Sequence, residues 1–486
     1  MSIRSIVKIL GVLFMFLGGL MLTALPFSII FKSNDFWAIT YAAIVTLSTG
    51  WIIWYANRNK KEKIGKREGY MIVVLAWLGM CFFSALPYLF SGTFFSLTDA
   101  MFESVSGLTT TGASVISDIE SISKGILFWR SLTQWIGGMG IIVLTVALFP
   151  LLGIGGVELF VAEAPGPTSD KIHPQIKETA KSLWLIYVGL TIVLSIILIA
   201  EGMTFYDSIN HALTTMATGG FSTKNTSIAY FTSPLIQYTL IIFMFLAGSN
   251  YTILYYGLNG CFKKVWQSDE FRTYVVITLG FIVLLTLLVY QYTDHPFELA
   301  FREVCFQVIS LITTTGFVSA DYTNWTSTTT MICFVLLFVG ACTGSTSGGI
   351  KIIRHLVFFK NSILEFKRIL HPRGLIRIKI DKKIVAPKIL THILVFLLIY
   401  LIIFVVGSIV MSIILTDFEQ PFLTAIGSVA TSLGNVGPGI GQVGPVDNFA
   451  AIPKLGKWFL AFLMLLGRLE LFTILVLFMP YFWKIN

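Results

Sequence analysis

The chain reads as an all-α polytopic membrane protein of four repeats around one pore, with a two-helix hairpin ahead of them. Three observations predict this: its composition, the recurrence of long apolar runs, and a glycine-bearing segment that returns four times. Of its 486 residues, 55% are hydrophobic and only 12% are charged, where a soluble protein carries roughly a quarter charged residues. A helix needs about 20 apolar residues to cross the hydrocarbon core. Apolar runs occupy residues 6–31, 36–56, 71–90, 126–152, 183–200, 235–258, 275–290, 331–341, 389–415 and 458–482. A transmembrane barrel would instead alternate over segments of ~10 residues. The first run is long for a signal sequence, lacks a small-x-small cleavage pattern and is followed at once by a second span, so it reads as a helix.

Charge gives orientation. Lys and Arg gather in "NRNKKEKIGKRE", in residues 171–181, at Lys263 and Lys264, and in "FKRILHPRGLIRIKIDKK", which assigns these linkers to the cytoplasmic side. The basic runs border spans and carry no interleaved aromatics, so nucleic acid is excluded as a partner. Five scattered cysteines form no paired spacing and read as packing residues, neither a disulfide framework nor a metal cluster. Clustered carboxylates, a Ser/His set and an HExxH motif are missing, which argues against a membrane enzyme.

On the opposite face each linker holds acids and an apolar stretch too short to cross: "DAMFESVSGLTT", "YDSINHALTTMA", "FELAFREVCFQVISLIT" and "FLTAIGSVATSL". Stretches of 10–14 residues suit re-entrant helices. They run into Thr110-Thr111-Gly112, Ala217-Thr218-Gly219, Thr314-Thr315-Gly316 and Ser432-Leu433-Gly434-Asn435, with the glycines about one hundred residues apart. A constant period outranks any local motif. The expected units are a hairpin over 1–60 and repeats over 61–155, 156–262, 263–360 and 361–486. Non-helical backbone at membrane depth is tolerated where it lines a cavity, and glycine permits positive φ. Four such loops can therefore ring an axis with carbonyl oxygens that replace the hydration shell of a monovalent cation. Each short helix precedes its loop, so its negative C-terminal end faces the axis and favours a cation. Asp99, Asp207, Glu298 and Glu419 suit the opposite, N-terminal ends, and Pro296 and Pro421 suit helix starts.

Two further features stand out. In "GACTGSTSGGIK" Gly340, Gly344, Gly348 and Gly349, with Thr343, Ser345, Thr346 and Ser347, interrupt an apolar helix. Each glycine costs about 1 kcal/mol in a helix, so local unwinding beside a cavity is expected; a close helix contact without motion is the alternative. A phosphate loop is excluded because Ile350 stands where its lysine would be. Arg468, near Glu470 in the last span, is costly at membrane depth, at least ~2.5 kcal/mol; a structural ion pair is the alternative to a role in the pore. Arg130 is expected to anchor a short helix or to snorkel, and His211 to be packed.

With its four glycine loops, "FWRSLTQWIGGMG", "GSTSGGIK" and "GRLELFTI", the chain resembles the Trk/Ktr/HKT superfamily of K⁺ transporters over essentially its whole length. The N-terminal hairpin makes it most similar to the TrkH type. The resemblance implies K⁺ uptake across a bacterial cytoplasmic membrane, with K⁺ at the loop residues and no covalent cofactor. It also implies a homodimer in lipid and a peripheral cytoplasmic TrkA-type subunit that binds NAD(H) or ATP. Residues 344–349 would then be a gate below the filter and Arg468 an electrostatic barrier. Glycine in all four loops goes with K⁺ in that family. Only the first and third loops are close to TTTG here, so looser rejection of Na⁺ is expected. An ion-coupled secondary carrier is the alternative mechanism.

Overall fold

The computed structural model describes residues 3–58, 65–138, 140, 176–371, 374 and 376–484. The inner half of the 126–152 run, residues 171–175 of the 171–181 basic linker, and the expected boundaries at 60/61 and 155/156 lie outside the described residues.

Long apolar helices set the frame. Among the described residues six are long and apolar enough to cross a membrane: Ile3–Ile30, Phe36–Ala56, Arg67–Phe90, Ala180–Ala200, Asp269–Tyr292 and Pro387–Ile414. Two further spans are broken, Pro234–Ala247 with Tyr251–Leu258 bent by 110° and Lys454–Arg468 with Phe472–Phe478 bent by 107°. The Pro387–Ile414 helix leaves Leu398, Leu401, Ile402, Val405, Ile409 and Ile413 exposed, which suits a helix whose outer face meets lipid tails. Among the described residues, strand is confined to Lys379–Ile380 and Lys383–Ile384, an antiparallel pair in a basic connector.

The first two helices pack as a hairpin through small residues. A Cβ on Gly11 would lie 2.7 Å from the Gly50 carbonyl oxygen, and one on Gly50 equally close to that of Gly11. Lipid tails are as apolar as the helices, so close backbone approach supplies the attraction. Phe14 then fills the space that Gly79 leaves on the Lys66–Phe90 helix.

Within this frame sit four short helices, Leu97–Leu108, Phe205–Met216, Phe297–Ile312 and Pro421–Gly434. They match the four stretches read as too short to cross. Each packs against the long helix before it and the helix after it. The first three also touch the last helix of another unit: Lys454–Arg468, Lys124–Gly138 and Pro234–Ala247, respectively. Asp99, Asp207 and Glu298 stand in first turns, Pro296 is an N-cap and Pro421 opens the fourth helix. Acids there complement the positive end of the helix dipole.

Candidate functional site

All four short helices end in the same hydrogen-bonded turn. The amides of Thr110 and Thr111 bond the carbonyls of Gly107 and Ser106, and those of Thr218 and Gly219 bond Thr215 and Thr214. Thr314 and Thr315 pair likewise with Leu311 and Ser310, and Asn435 and Val436 with Ser432 and Thr431. This is a Schellman-type ending, whose first residue beyond the helix is left-handed. Thr110, Thr218, Thr314 and Asn435 have φ of 54°, 51°, 55° and 53°. Asparagine tolerates that region, but a β-branched residue there is a conformational outlier costing about 1–3 kcal/mol. Three threonines in one strained conformation, at equivalent places, mark a site whose surroundings impose it.

Two residues on, each loop carries a glycine with positive φ: Gly112 at 82°, Gly220 at 76°, Gly316 at 77° and Gly437 at 103°. This corrects the register read from the sequence. In the second loop the bend falls on Gly220, and Gly219 holds the place of Thr111 and Thr315. In the fourth, Ser432, Leu433 and Gly434 are still helical, and the loop is Asn435-Val436-Gly437. The misreading came from aligning visible glycines. The conformation that matters begins at the left-handed residue, and the spacing Asn-x-Gly was the signal available in "GNVGPG".

The four loops meet. A Cβ on Gly112 would overlap the carbonyl oxygen of Gly219, one on Gly220 that of Thr315, and one on Gly316 that of Val436. A Cβ on Gly437 would lie 2.7 Å from the oxygen of Thr111, which closes the circle. Each glycine thus abuts the carbonyl preceding the glycine of the next loop. A cavity of ≈ 90 Å³ is lined by Gly112, Gly220, Gly316 and Gly437, together with Arg130, Lys224 and Asp447. A larger recess of ≈ 520 Å³ lies beside the hairpin, between Asn34 and Ser123, and touches none of the four glycines.

Bracing differs among the loops. In the first and third, hydroxyls two residues apart bond each other, Thr109 to Thr111 and Thr313 to Thr315, both at 2.7 Å. In the fourth, Asn435 donates through Nδ2 to the Thr111 hydroxyl at 3.0 Å and to the Met464 carbonyl at 2.9 Å. Outside the ring Arg130 is buried and pairs with Glu103 at 2.7 Å. It also donates to the Ser222 carbonyl and lies over the Phe221 ring, 3.4 Å from its centroid. Of the two expectations for Arg130, it anchors the first short helix. His211 is packed, bonded to the Asp207 carbonyl and the Ser222 hydroxyl. At the exposed rim the Asn225 amide holds the Asp118 carboxyl below its usual range.

Directly against the inner ends of the loops lies the glycine-rich break. Helix stops at Leu336 and resumes at Ile352, and the intervening loop is closed at its base by Gly340 N–H to the Ile350 carbonyl and Ile352 N–H to that of Ala341. Its contacts reach the second, third and fourth units, and Arg468 links it to the first. The Thr218 hydroxyl lies 3.2 Å from that of Thr346, and the Gly348 amide donates to the Thr314 hydroxyl at 2.6 Å. A Cβ on Gly348 would crowd the Gly434 carbonyl and Asn435. Arg468 donates to the Thr110 hydroxyl at 3.1 Å, to the Thr346 carbonyl at 2.8 Å and to the carbonyls of Gly137 and Gly138. Two of the strained left-handed residues, Thr218 and Thr314, therefore hold the break directly, and Thr110 holds it through Arg468.

Four residues here were not singled out from the sequence. Glu270 accepts from the amide and hydroxyl of Thr343. Lys351 donates to Ser347. Arg354 pairs with Glu470 and stacks on Phe396, so Glu470 is engaged by Arg354. Gln134, fully buried, bonds the second loop. Only Gln134 had a signal, as the one amide inside the motif "FWRSLTQWIGGMG".

The comparisons agree with this architecture. The family model for TrkH, a cation transport protein, matches residues 37–485. The Trk system potassium uptake protein TrkH of Salmonella typhimurium is 41% identical over the full length of both chains. The TrkG protein of Escherichia coli is 31% identical over 99% of each. The crystal structure of the potassium transporter TrkH from Vibrio parahaemolyticus matches with TM-score 0.88 at 35% identity, covering both chains completely. The resemblance read from the glycine loops and the hairpin is borne out, and this multi-pass membrane protein belongs to the TrkH family of cation transport proteins.

Proposed function

We propose that the chain is a potassium uptake channel of the bacterial cytoplasmic membrane, conducting K⁺ through the four-loop ring. The carrying observation is the closed circle of carbonyl-to-glycine contacts, Gly112 to Gly219, Gly220 to Thr315, Gly316 to Val436 and Gly437 to Thr111. Carbonyls so arranged replace the hydration shell of a bare alkali ion, and four helix C-termini aimed at the ring disfavour anions. The ligands would come from Thr110 to Gly112, Thr218 to Gly220, Thr314 to Gly316 and Asn435 to Gly437. Relatives at 31–41% identity bear the name of potassium uptake proteins, which supports the same ion here. The membrane potential, inside negative, supplies roughly 2.3 kcal/mol per charge per 100 mV, so conduction needs no further energy source.

In this reading Gly344 to Gly349 is the gate. It sits under the ring, tied by Thr346 and Gly348, and it moves when the hydroxyl ties are exchanged for water. Arg468 places a cationic barrier beside that gate and at the same time pins it through the Thr346 carbonyl. Two copies would form the homodimer, each with its own pore over the units 61–155, 156–262, 263–360 and 361–486. A peripheral cytoplasmic subunit binding NAD(H) or ATP would dock on the basic inner linkers and pull the break.

The decisive experiment is ⁸⁶Rb⁺ uptake by reconstituted protein, competed by K⁺ and by Na⁺, with unitary currents recorded in a planar bilayer. K⁺ should compete better than Na⁺, and Gly112→Ser should raise Na⁺ permeation relative to K⁺. An unchanged ratio removes the filter assignment, and saturable exchange without unitary currents favours a carrier.

A further inference from the structure

The second loop lacks the hydroxyl brace of the first and third. Where those carry Thr109 with Thr111 and Thr313 with Thr315, the second carries Ala217 with Gly219. Something else must hold it. Gln134, on the Lys124–Gly138 helix of the first unit, is fully buried. Its Nε2 donates to the Gly219 carbonyl at 2.6 Å, and its Oε1 accepts from the Phe221 amide at 3.0 Å. One side chain therefore clamps the backbone on both sides of Gly220. The reversed amide would face donor to donor and acceptor to acceptor, so both bonds fix a single orientation.

The fit is reciprocal. A Cβ on Gly219 would overlap the Gln134 carboxamide, so the side chain missing from the second loop is replaced, in space and in hydrogen bonding, by one from the neighbouring unit. The Gly219 carbonyl is also the oxygen against which Gly112 rests. Among the described residues, the equivalent carbonyls of Thr111, Thr315 and Val436 accept no hydrogen bond. The Gly219 oxygen is, among the described residues, the one of these four that a donor engages.

We infer that Gln134 is a positioning residue that sets ion selectivity by fixing the second loop and by drawing on one of its four carbonyl ligands. This rests on the reading of the ring as the filter. An N–H donor on a ligand oxygen weakens its field at the ion and fixes its distance. The ring thus has three free carbonyls and one tempered one, held at the seam between the first and second units.

The test compares Gln134→Leu, Gly219→Thr and the triple variant Gln134→Ala/Ala217→Thr/Gly219→Thr, all reconstituted as full chains, with Gly112→Ser beside them. Gln134→Leu keeps the bulk and removes both bonds. It should lower the K⁺-over-Na⁺ ratio of ⁸⁶Rb⁺ competition about fivefold and raise the half-saturating K⁺ concentration, while the maximal rate stays within about twofold; that fivefold change corresponds to about 1 kcal/mol. Gly219→Thr alone should abolish selective uptake, because the threonine and Gln134 need the same space. The triple variant rebuilds the hydroxyl brace and should return the ratio to within about twofold of the native value, a non-additivity that independent sites do not show. A purely structural Gln134 would instead reduce maximal rate and folded yield with the ratio unchanged, and that result overturns the inference. If Gln134→Leu gives no folded protein, the triple variant decides alone: recovery of a selective protein supports the clamp, and failure to recover refutes it. Should Gly112→Ser shift the ratio while Gln134→Leu does not, the clamp falls and the filter stands. If neither shifts it, the filter reading falls first.

Discussion

The first and third loops and the second and fourth reach one backbone conformation by different means. Loops one and three are self-contained: a TTTG sequence supplies the strained threonine, the positive-φ glycine and a hydroxyl pair bonded at 2.7 Å. Loops two and four borrow. Gln134 crosses from the first unit to hold loop two, and Asn435 reaches to Thr111 and Met464. Identical geometry from unlike residues shows that what is maintained is a ring of carbonyl positions. It also means that the units hold each other, since the clamp of loop two belongs to unit one and the brace of loop four ends on loop one.

The largest effect should separate the corrected register from the apparent one. Gly220→Ala and Gly437→Ala put a Cβ on a residue with φ of 76° or 103° and against the next loop's carbonyl. Each should reduce ⁸⁶Rb⁺ uptake at least about a hundredfold, about 2.7 kcal/mol or more of lost function. Gly434→Ala is free of the backbone penalty because that position is helical, but its Cβ would press on the Leu337 carbonyl at 2.9 Å, so it should cost less than Gly437→Ala, about tenfold. Equal losses at 434 and 437 would break the register.

Next comes the anchor that loops one and two share. Arg130→Met leaves Glu103 buried without its partner, a loss of about 3–5 kcal/mol for a buried pair broken on one side. Thermal unfolding in detergent should show a large drop in midpoint, whereas Arg272→Met, whose side chain is half exposed beside an Asp269 that keeps Lys360 as a partner, should lose only about 0–1 kcal/mol. Comparable drops would mean that burial does not distinguish the two pairs.

A smaller effect concerns the break beneath the ring. Thr314→Val removes the acceptor for the Gly348 amide, and Arg468→Ala removes the donors to Thr346 and Thr110. A hydrogen bond is worth about 0.5–1.5 kcal/mol net, so each should raise basal flux about threefold to tenfold. Deleting 344–349 should raise it further. Flux that falls or stays level, in folded protein, would count against a gate and leave a packing contact.

The smallest effect lies at the rim, where Asn225 ties the segment after loop two to Asp118 after loop one. Because the folded state holds the Asp118 carboxyl low, this tie contributes above the ordinary carboxylate pKa and is lost as pH falls through the depressed value. Asn225→Ala should leave neutral-pH uptake unchanged and raise the Asp118 titration toward its ordinary range, read by NMR. An unmoved titration would show that the amide is not its cause.

Much of this molecule is legible in one dimension, and the reason is solvent. Span length, the too-short helices, their acidic starts and the fourfold recurrence follow from what a hydrocarbon layer demands of any backbone, and each demand is met within about 30 contiguous residues. The resemblance carried by the glycine loops is of the same local kind. Gly112 and Gly316 coincide with the positive-φ bends because in those loops the strained residue, the brace and the bend are all local. Gly219 and Gly434 fall off the bend, which lies at Gly220 and Gly437, because in the other two loops the brace comes from elsewhere in the chain, and a glycine seen in sequence does not show whether it fills a bend or a helix. The closed carbonyl circle, the Gln134 clamp and the seat of residues 344–349 on Thr218, Thr314 and Arg468 join residues as much as 358 positions apart. Such contacts exist only once tertiary packing brings four helix ends to one axis, where crowding, rather than propensity, decides each torsion angle.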